Sequence, residues 1–593
     1  MKTKIFLAVL SAIAATSLRA QTYNALWIPP TISGTTFNLS LSQTNKQFWA
    51  SNAAPLNIFS NGAATTTYGY NGAQFWGPTL IMSNSDLVQI NVTNNLIDST
   101  TVHWHGFHIP AIMDGGPHQV IPAGTVWSPS FKVLNSAATY WYHPHLHTTT
   151  QLQLTYGAGG FIIVKDAAEA ALVLPRTYGV DDLPVAFTSR RFLTNTFQGV
   201  KPGNQFAADH ILDNYGDYVL ANGTYLAQAV LPRQYVRLRI LNAEIERGYN
   251  LGFSDNRTFQ VIANDQGLLN APVAVTRVKL MVGERVEILV NLGTNAVSST
   301  LDLKAYNSGQ VFGFPGNEGG PVPPSGKSGP INGSLLNNTD FNLLHIVVTN
   351  ATANAILALP TTLVTNSYWT TNDVTNTRTI TLSGGNGGSE FTFNNVTYTS
   401  TLFNHTINLN AVEKWIVSNQ AGAIFGHSFH IHDVKFNIIA RSGGTQVSST
   451  GLAATYESGW KDTLYVPKGE TATFLAKFDD FASNQNPFMF HCHFLNHEDG
   501  GMMGQFVVVN NAVEDLAISS FTRTGTNSNI LMKFKATVGT TYTLQYSTDL
   551  TTSSWTDIAS VTSDGASANF TETNATRLAQ ARGFYRVKMP VVP

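Results

Sequence analysis

The only cysteine in 593 residues, Cys492, lies between two histidines, in the run His491-Cys492-His493, with His497 and Met502 close behind. If that tripeptide is extended, it constrains the fold sharply, because neighbouring side chains on a strand point to opposite faces. Cys492 then faces one way and His491 and His493 the other. One thiolate, two imidazoles and a thioether are the donor set of a blue-copper centre. The flanking histidines imply a second metal site on the other side of the same strand. Two sites sharing one tripeptide can exchange electrons through covalent bonds.

The remaining histidines sharpen this division. Pairs spaced by two residues occur at His103/His105, His143/His145, His430/His432 and His491/His493. On strands each pair presents both imidazoles on one face. Eight nitrogens exceed the needs of one ion but suit a cluster of three. His427 lies an odd number of residues from His430, so it faces away from His430 and His432, just as Cys492 faces away from its neighbours. The two C-terminal clusters therefore point to the same partition: His427, Cys492, His497 and Met502 in one site, the eight paired histidines in another. His497 and Met502 are expected on the turn after the strand. Zinc is the competing metal, but a Cys-His-His-Met set beside eight imidazoles suits copper. His108 and His118 read as loop residues near the site, His147 as lying just outside it, and His210, His345 and His405 as structural.

A lone cysteine cannot form a disulfide within the chain, although export would permit one. Export is expected because residues 1–20 have the form of a signal peptide: Lys2 and Lys4, an apolar run from Ile5 to Ala15, and Ala20 before Gln21. That run is too short to span a bilayer comfortably. Periplasmic or extracellular residence and no transmembrane segment follow. Charged residues are 12% of the chain, about half the usual ~25%, and the formal net charge is −2. Nothing in that balance favours nucleic acid.

The chain reads as all-β. Val88, Ile90 and Val92 alternate with polar residues, as do Val236, Leu238 and Ile240, and Tyr542, Leu544 and Tyr546. Each pattern predicts a strand with one buried face. Asn61-Gly62, Asn71-Gly72 and Asn222-Gly223 supply turns. Residues 307–333, rich in Gly and Pro, read as a long loop, and 350–378 as a linker. The length calls for several domains.

These motifs resemble the three-domain multicopper oxidases, a family of laccases, bilirubin oxidases and copper-efflux oxidases. Gly77-Pro78-Thr79-Leu80, Arg237 to Asn242, Gly283-Glu284-Arg285 and Trp460-Lys461-Asp462-Thr463 also look like this family. The resemblance implies three cupredoxin-like Greek-key β-sandwich domains, at 21–170, 171–355 and 356–512, and a small C-terminal β-sandwich module at 513–593. It implies four coppers per chain: one type 1 copper at His427, Cys492, His497 and Met502, a type 2 copper at His103 and His430, and two type 3 coppers at His105, His143, His145, His432, His491 and His493. The second domain would be a spacer. Asp114 and Glu498 match the residues that feed protons to oxygen, and the expected reaction couples four one-electron oxidations to reduction of dioxygen to water.

The donor is the open question. Of nine methionines, Met1 included, only Met502 and Met503 are adjacent, and the loop at 307–333 has none. Ala423 and Phe425 precede His427. Lacking soft ligands for Cu(I), the approach favours a small phenol or aromatic amine touching the exposed edge of His427 or His497. The alternatives are a Cu(I) oxidase of copper tolerance and a scaffold that has lost its copper. A monomer is the expected state.

Overall fold

The computed structural model describes residues 21–48, 64–192, 215–317, 334–384, 390–420, 423, 425–442, 455–510 and 518–588, the last without 525–528, 537–540, 550–554 and 566. The expected signal segment, Asn61-Gly62, His210 and most of the 307–333 loop lie outside the described residues. Strands dominate, and the longest described helix is Thr150–Tyr156. Among the described residues the strands form eight sheets, which share four main cores. Three are cupredoxin-like sandwiches. The fourth packs Ile518–Thr524, Asn529–Lys535 and Ser567–Glu572 against Thr541–Ser547, Thr556–Thr562 and Phe584–Lys588 around Met532, Phe534, Tyr542 and Leu544.

The turn chemistry operates where it is described. Asn222 and Gly223 both take positive φ (47° and 72°) between Tyr218–Ala221 and Thr224–Tyr225, as a two-residue type I′ hairpin requires. The alternation also holds, since Val88, Ile90 and Val92 are fully buried on Leu87–Asn94. One pattern is corrected. Tyr235–Asn242 is buried on both faces, because Arg237 and Arg239 opposite the apolar row pair with Glu169, Glu287 and Asp182. Alternating arginines resemble a solvated face in sequence; only buried carboxylates elsewhere make them interior. Asn24–Ala25 leaves the first expected domain to add a parallel strand to the second unit's sheet.

Two sheets position the site. In the first unit His103–His105 is an edge strand pairing antiparallel with Ala138–His143, with His105 opposite Trp141 and His103 opposite His143. In the third unit His427–Ile431 lies between Ser483–Cys492 and Thr463–Val466, with Phe429 opposite Cys492 and His430 opposite His491. This register stacks the two C-terminal histidine motifs with matching parity.

Candidate metal centres

Parity separates the donors as the sequence requires. On one face of the Cys492 strand, Cys492 Sγ lies 3.6 Å from His427 Nδ1 and 3.5 Å from His497 Nδ1, and those two nitrogens are 3.2 Å apart. His497 comes from the short helix Leu495–Asp499. Met502 is buried; its N–H donates to the His497 carbonyl and its own carbonyl accepts from Cys492 N–H (2.8 and 3.0 Å), so the turn closes against the centre. Burial pushes the Cys492 thiol up and the His427 imidazole down to about 3. A thiol so placed ionises only beside a cation.

On the other face the eight paired histidines assemble from four strands or strand ends, all fully or almost fully buried. His145, His432 and His491 converge with their Nε2 atoms 3.1–3.2 Å apart. His105, His143 and His493 form a second group, with His493 Nε2 3.2 Å from His105 Nδ1. His103 and His430 approach each other beside His105. The tripeptide thus puts Cys492 in the thiolate centre, His491 in one imidazole group and His493 in another.

The outward nitrogens, apart from His493 Nδ1, face acceptors. His103 Nδ1 donates to the Asp114 carbonyl (2.9 Å) and His432 Nδ1 to the Asp114 carboxylate (2.6 Å). Asp462 repeats the arrangement: its carbonyl accepts from His430 Nδ1 (2.8 Å) and its carboxylate from His105 Nε2 (3.2 Å). Glu498 spans two rings, Oε1 3.2 Å from His145 Nδ1 and Oε2 3.1 Å from His491 Nδ1. Burial opposes ionisation of Glu498, but His145 and His491 hold its carboxyl down to about 2. Carbonyls and carboxylates only accept, so the facing nitrogens carry the protons and the lone pairs turn inward. Burial also drives His105, His143, His430 and His432 well below the usual imidazole range. Three inward nitrogens, Nε2 of His103, His143 and His430, are buried without a hydrogen-bond partner. Each such orphan costs about 1–3 kcal/mol, and ligation of a cation removes that cost. The donor sets therefore fit copper.

Sequence reasoning missed Asp462 as a site residue, along with the second unit's part in the site. The expected spacer reaches both centres. Arg285 pairs with both Asp462 oxygens (2.8 and 2.6 Å), and Gln266 donates to Asp462 Oδ2 (2.7 Å). Gly283, at φ 87°, brings its backbone so close that a Cβ there would lie 2.7 Å from the His493 ring. Gly106, at φ 85°, meets Asp462 likewise, at 2.5 Å. Glu246 Oε1 lies 3.7 Å from His497 Nε2 and accepts from Tyr215 OH at 3.0 Å. The Arg-x-Arg and Gly-Glu-Arg motifs were visible; their cross-unit partners were not.

The expected exposed edge is also corrected. His427 and His497 are each 1% exposed. Phe391 stacks on His497 (ring centroids 3.9 Å) and Phe425 lies 5.1 Å away. Among the other histidines, His118 bonds Gln505, His345 bonds Asp302 and stacks on Tyr23, His405 packs on Trp415 and Phe490, and His147 lies against Tyr398 outside the three groups.

Sandwich fold and donor sets together define a copper-dependent redox protein. Multicopper oxidase family models match residues 54–169 and 369–512. The multicopper oxidase mco of Staphylococcus haemolyticus is 30% identical over 456 residues, 77% of this chain and 85% of that protein. The cell division protein FtsP of Sodalis glossinidius is 30% identical over 498 residues, 84% and 95% of the two chains. Among solved structures, a laccase-like multicopper oxidase CueO from Ochrobactrum sp. superimposes with a TM-score of 0.67 at 29% identity, covering 82% of this chain and all of that one. A laccase from Pediococcus acidilactici gives 0.67 at 26% identity, covering 82% and 94%. The chain belongs to the multicopper oxidase family. It is an oxidoreductase that uses oxygen.

Proposed function

We propose that this chain is an exported, laccase-like oxidase that takes electrons singly from a phenol or aromatic amine and reduces dioxygen to water. His427, Cys492, His497 and Met502 would hold one copper. His145, His432 and His491 would hold a second, His105, His143 and His493 a third, and His103 and His430 a fourth. Bound copper supplies one-electron transfer at the first position and dioxygen reduction at the other three. The observation that carries the reading is the tripeptide His491-Cys492-His493, which joins three of these donor groups through its own backbone. A protein with a purely scaffolding role has no need of twelve donors buried in this order.

The chain's own residues suggest the donor. His497 is the innermost point of an apolar approach: Phe391 and Phe425 cover the ring, and Phe312 and Val311, 57% and 42% exposed, lie on the segment whose Gly313 carbonyl accepts from Gly426 N–H. Met281, in the small cluster with Phe314 and Tyr465, is fully enclosed and presents no thioether to solvent. Glu246 supplies a carboxylate beside His497 Nε2, able to accept the hydroxyl or amine proton that a phenol or aniline releases as it is oxidised. At the imidazole groups Asp114 and Glu498 are carboxylates close enough to hold protons consumed in forming water, and neither is tied to an arginine as Asp462 is to Arg285. No described helix is long and apolar enough to cross a membrane. Oxygen uptake by the copper-loaded protein, with a simple phenol and with Cu(I) side by side, tests the reading. Faster phenol turnover is expected. Faster Cu(I) turnover refutes the organic donor, and uptake with neither refutes the oxidase.

A further inference from the structure

Outside both centres one imidazole sits among three carboxylates. His108 follows the strand His103–His105, Asp433 directly follows His432, and Asp479 and Asp480 follow the strand Thr471–Phe478. His108 Nδ1 donates to Asp433 Oδ1 at 2.8 Å and lies 3.0 Å from the Asp433 carbonyl. Its other nitrogen, Nε2, faces Asp480 Oδ2 at 3.1 Å and Asp479 Oδ1 at 3.7 Å. A buried carboxylate gripping Nδ1–H while Nε2 looks outward is how metal-ligating histidines are oriented. Ligand atoms bonded at about 2.0–2.2 Å around a tetrahedral ion stand roughly 3.4 Å apart, which the separations around Nε2 bracket.

A second observation concerns Asp433. Its side chain is fully buried, its Oδ2 has no hydrogen-bond partner, and it lines, with His108, Asp479 and Gln266, a cavity of about 90 Å³. The outer groups are reachable: His108, Asp479 and Asp480 side chains are 18%, 32% and 57% exposed. Charge also favours a cation. Lys477 takes only the far oxygen of Asp479 (2.9 Å to Oδ2), and Lys435 lies over the Trp460 ring, 4.9 Å from its centroid. Three carboxylates outnumber the two ammonium groups around this imidazole.

We propose that His108, Asp479 and Asp480 bind one divalent cation of the zinc type, with Asp433 as the carboxylate behind the imidazole. Binding displaces the proton from Nε2 and leaves the remaining positions to water. The ion would clamp a first-unit loop just beyond His105 to third-unit loops, one beginning at His432. This site is independent of the donor and of the reading of the copper centres.

The test is equilibrium dialysis of the copper-loaded full chain against Zn(II), with metal analysis and the blue absorption recorded together. One zinc per chain beyond the copper complement is expected. His108→Ala and Asp480→Asn should each weaken that binding at least tenfold with copper content unchanged, and Asp433→Asn should weaken it about 10- to 100-fold. Asp480 is largely exposed, so its substitution is informative even if a buried variant fails to fold. No additional zinc, or equal affinity in the unmodified protein and the Asp480 variant, overturns the proposal.

Discussion

Glu498→Gln separates orientation of the metal ligands from proton delivery. Glu498 is buried and faces two imidazoles at once, His145 Nδ1 at 3.2 Å and His491 Nδ1 at 3.1 Å. A carboxylate can accept from both. A glutamine side chain offers one oxygen and one NH₂, so whichever way it turns, one Nδ1–H meets a donor. His491 Nδ1 keeps the Cys492 carbonyl at 3.2 Å, but His145 either loses its partner or moves its proton to Nε2, removing a lone pair from the group it shares with His432. Losing a charge-assisted hydrogen bond costs about 1.5–3 kcal/mol, which is roughly a 10- to 150-fold loss of metal affinity at about 1.36 kcal/mol per decade. The assay is copper content after dialysis against graded chelator, with the blue band as an internal measure of the Cys492 centre. We expect loss of cluster copper at lower chelator with the blue band retained. A variant that keeps all its copper across the wild-type range while oxygen uptake falls would show that Glu498 carries protons and orients nothing.

Cys492→Ser should abolish the blue absorption and leave the imidazole groups able to take up metal, as optical spectra with metal analysis would show; a blue variant would remove the thiolate from the centre. Met502→Leu should raise the reduction potential of the same centre, because losing an axial thioether disfavours Cu(II); an unchanged potential in a redox titration would mean that Met502 is not a ligand. Asp462→Ala leaves the buried Arg285 guanidinium with the Asp265 carboxylate alone, 3.7 Å away, and should destabilise the fold by about 3 kcal/mol, read as a lower thermal midpoint. The double replacement Arg285→Met/Asp462→Leu should recover stability but not copper retention at the His105 group, since the acceptor on His105 Nε2 is still missing.

What was legible in the sequence was what depends on strand parity. Cys492 against His491 and His493, and His427 against His430 and His432, follow from the two-residue period of a strand alone, and the antiparallel register of His430 on His491 preserves it. What was illegible depends on partners far along the chain. Asp462 reads as one acid in a family motif until folding sets its carbonyl on His430 and its carboxylate on His105, a residue of the first unit. Arg237 and Arg239 read as a polar face until Glu287 and Asp182 meet them in the interior. The spacer reading of the second unit failed for the same reason: a unit with no ligand has no local signal, yet Arg285 and Gln266 fix the carboxylate that fixes His105. Ligands can be read one strand at a time because each needs only its own backbone to choose a face. Their orientation requires an acceptor about 3 Å from the other ring nitrogen, and here each carboxylate that meets this need for His105, His145 or His432 comes from a segment more than 300 residues away.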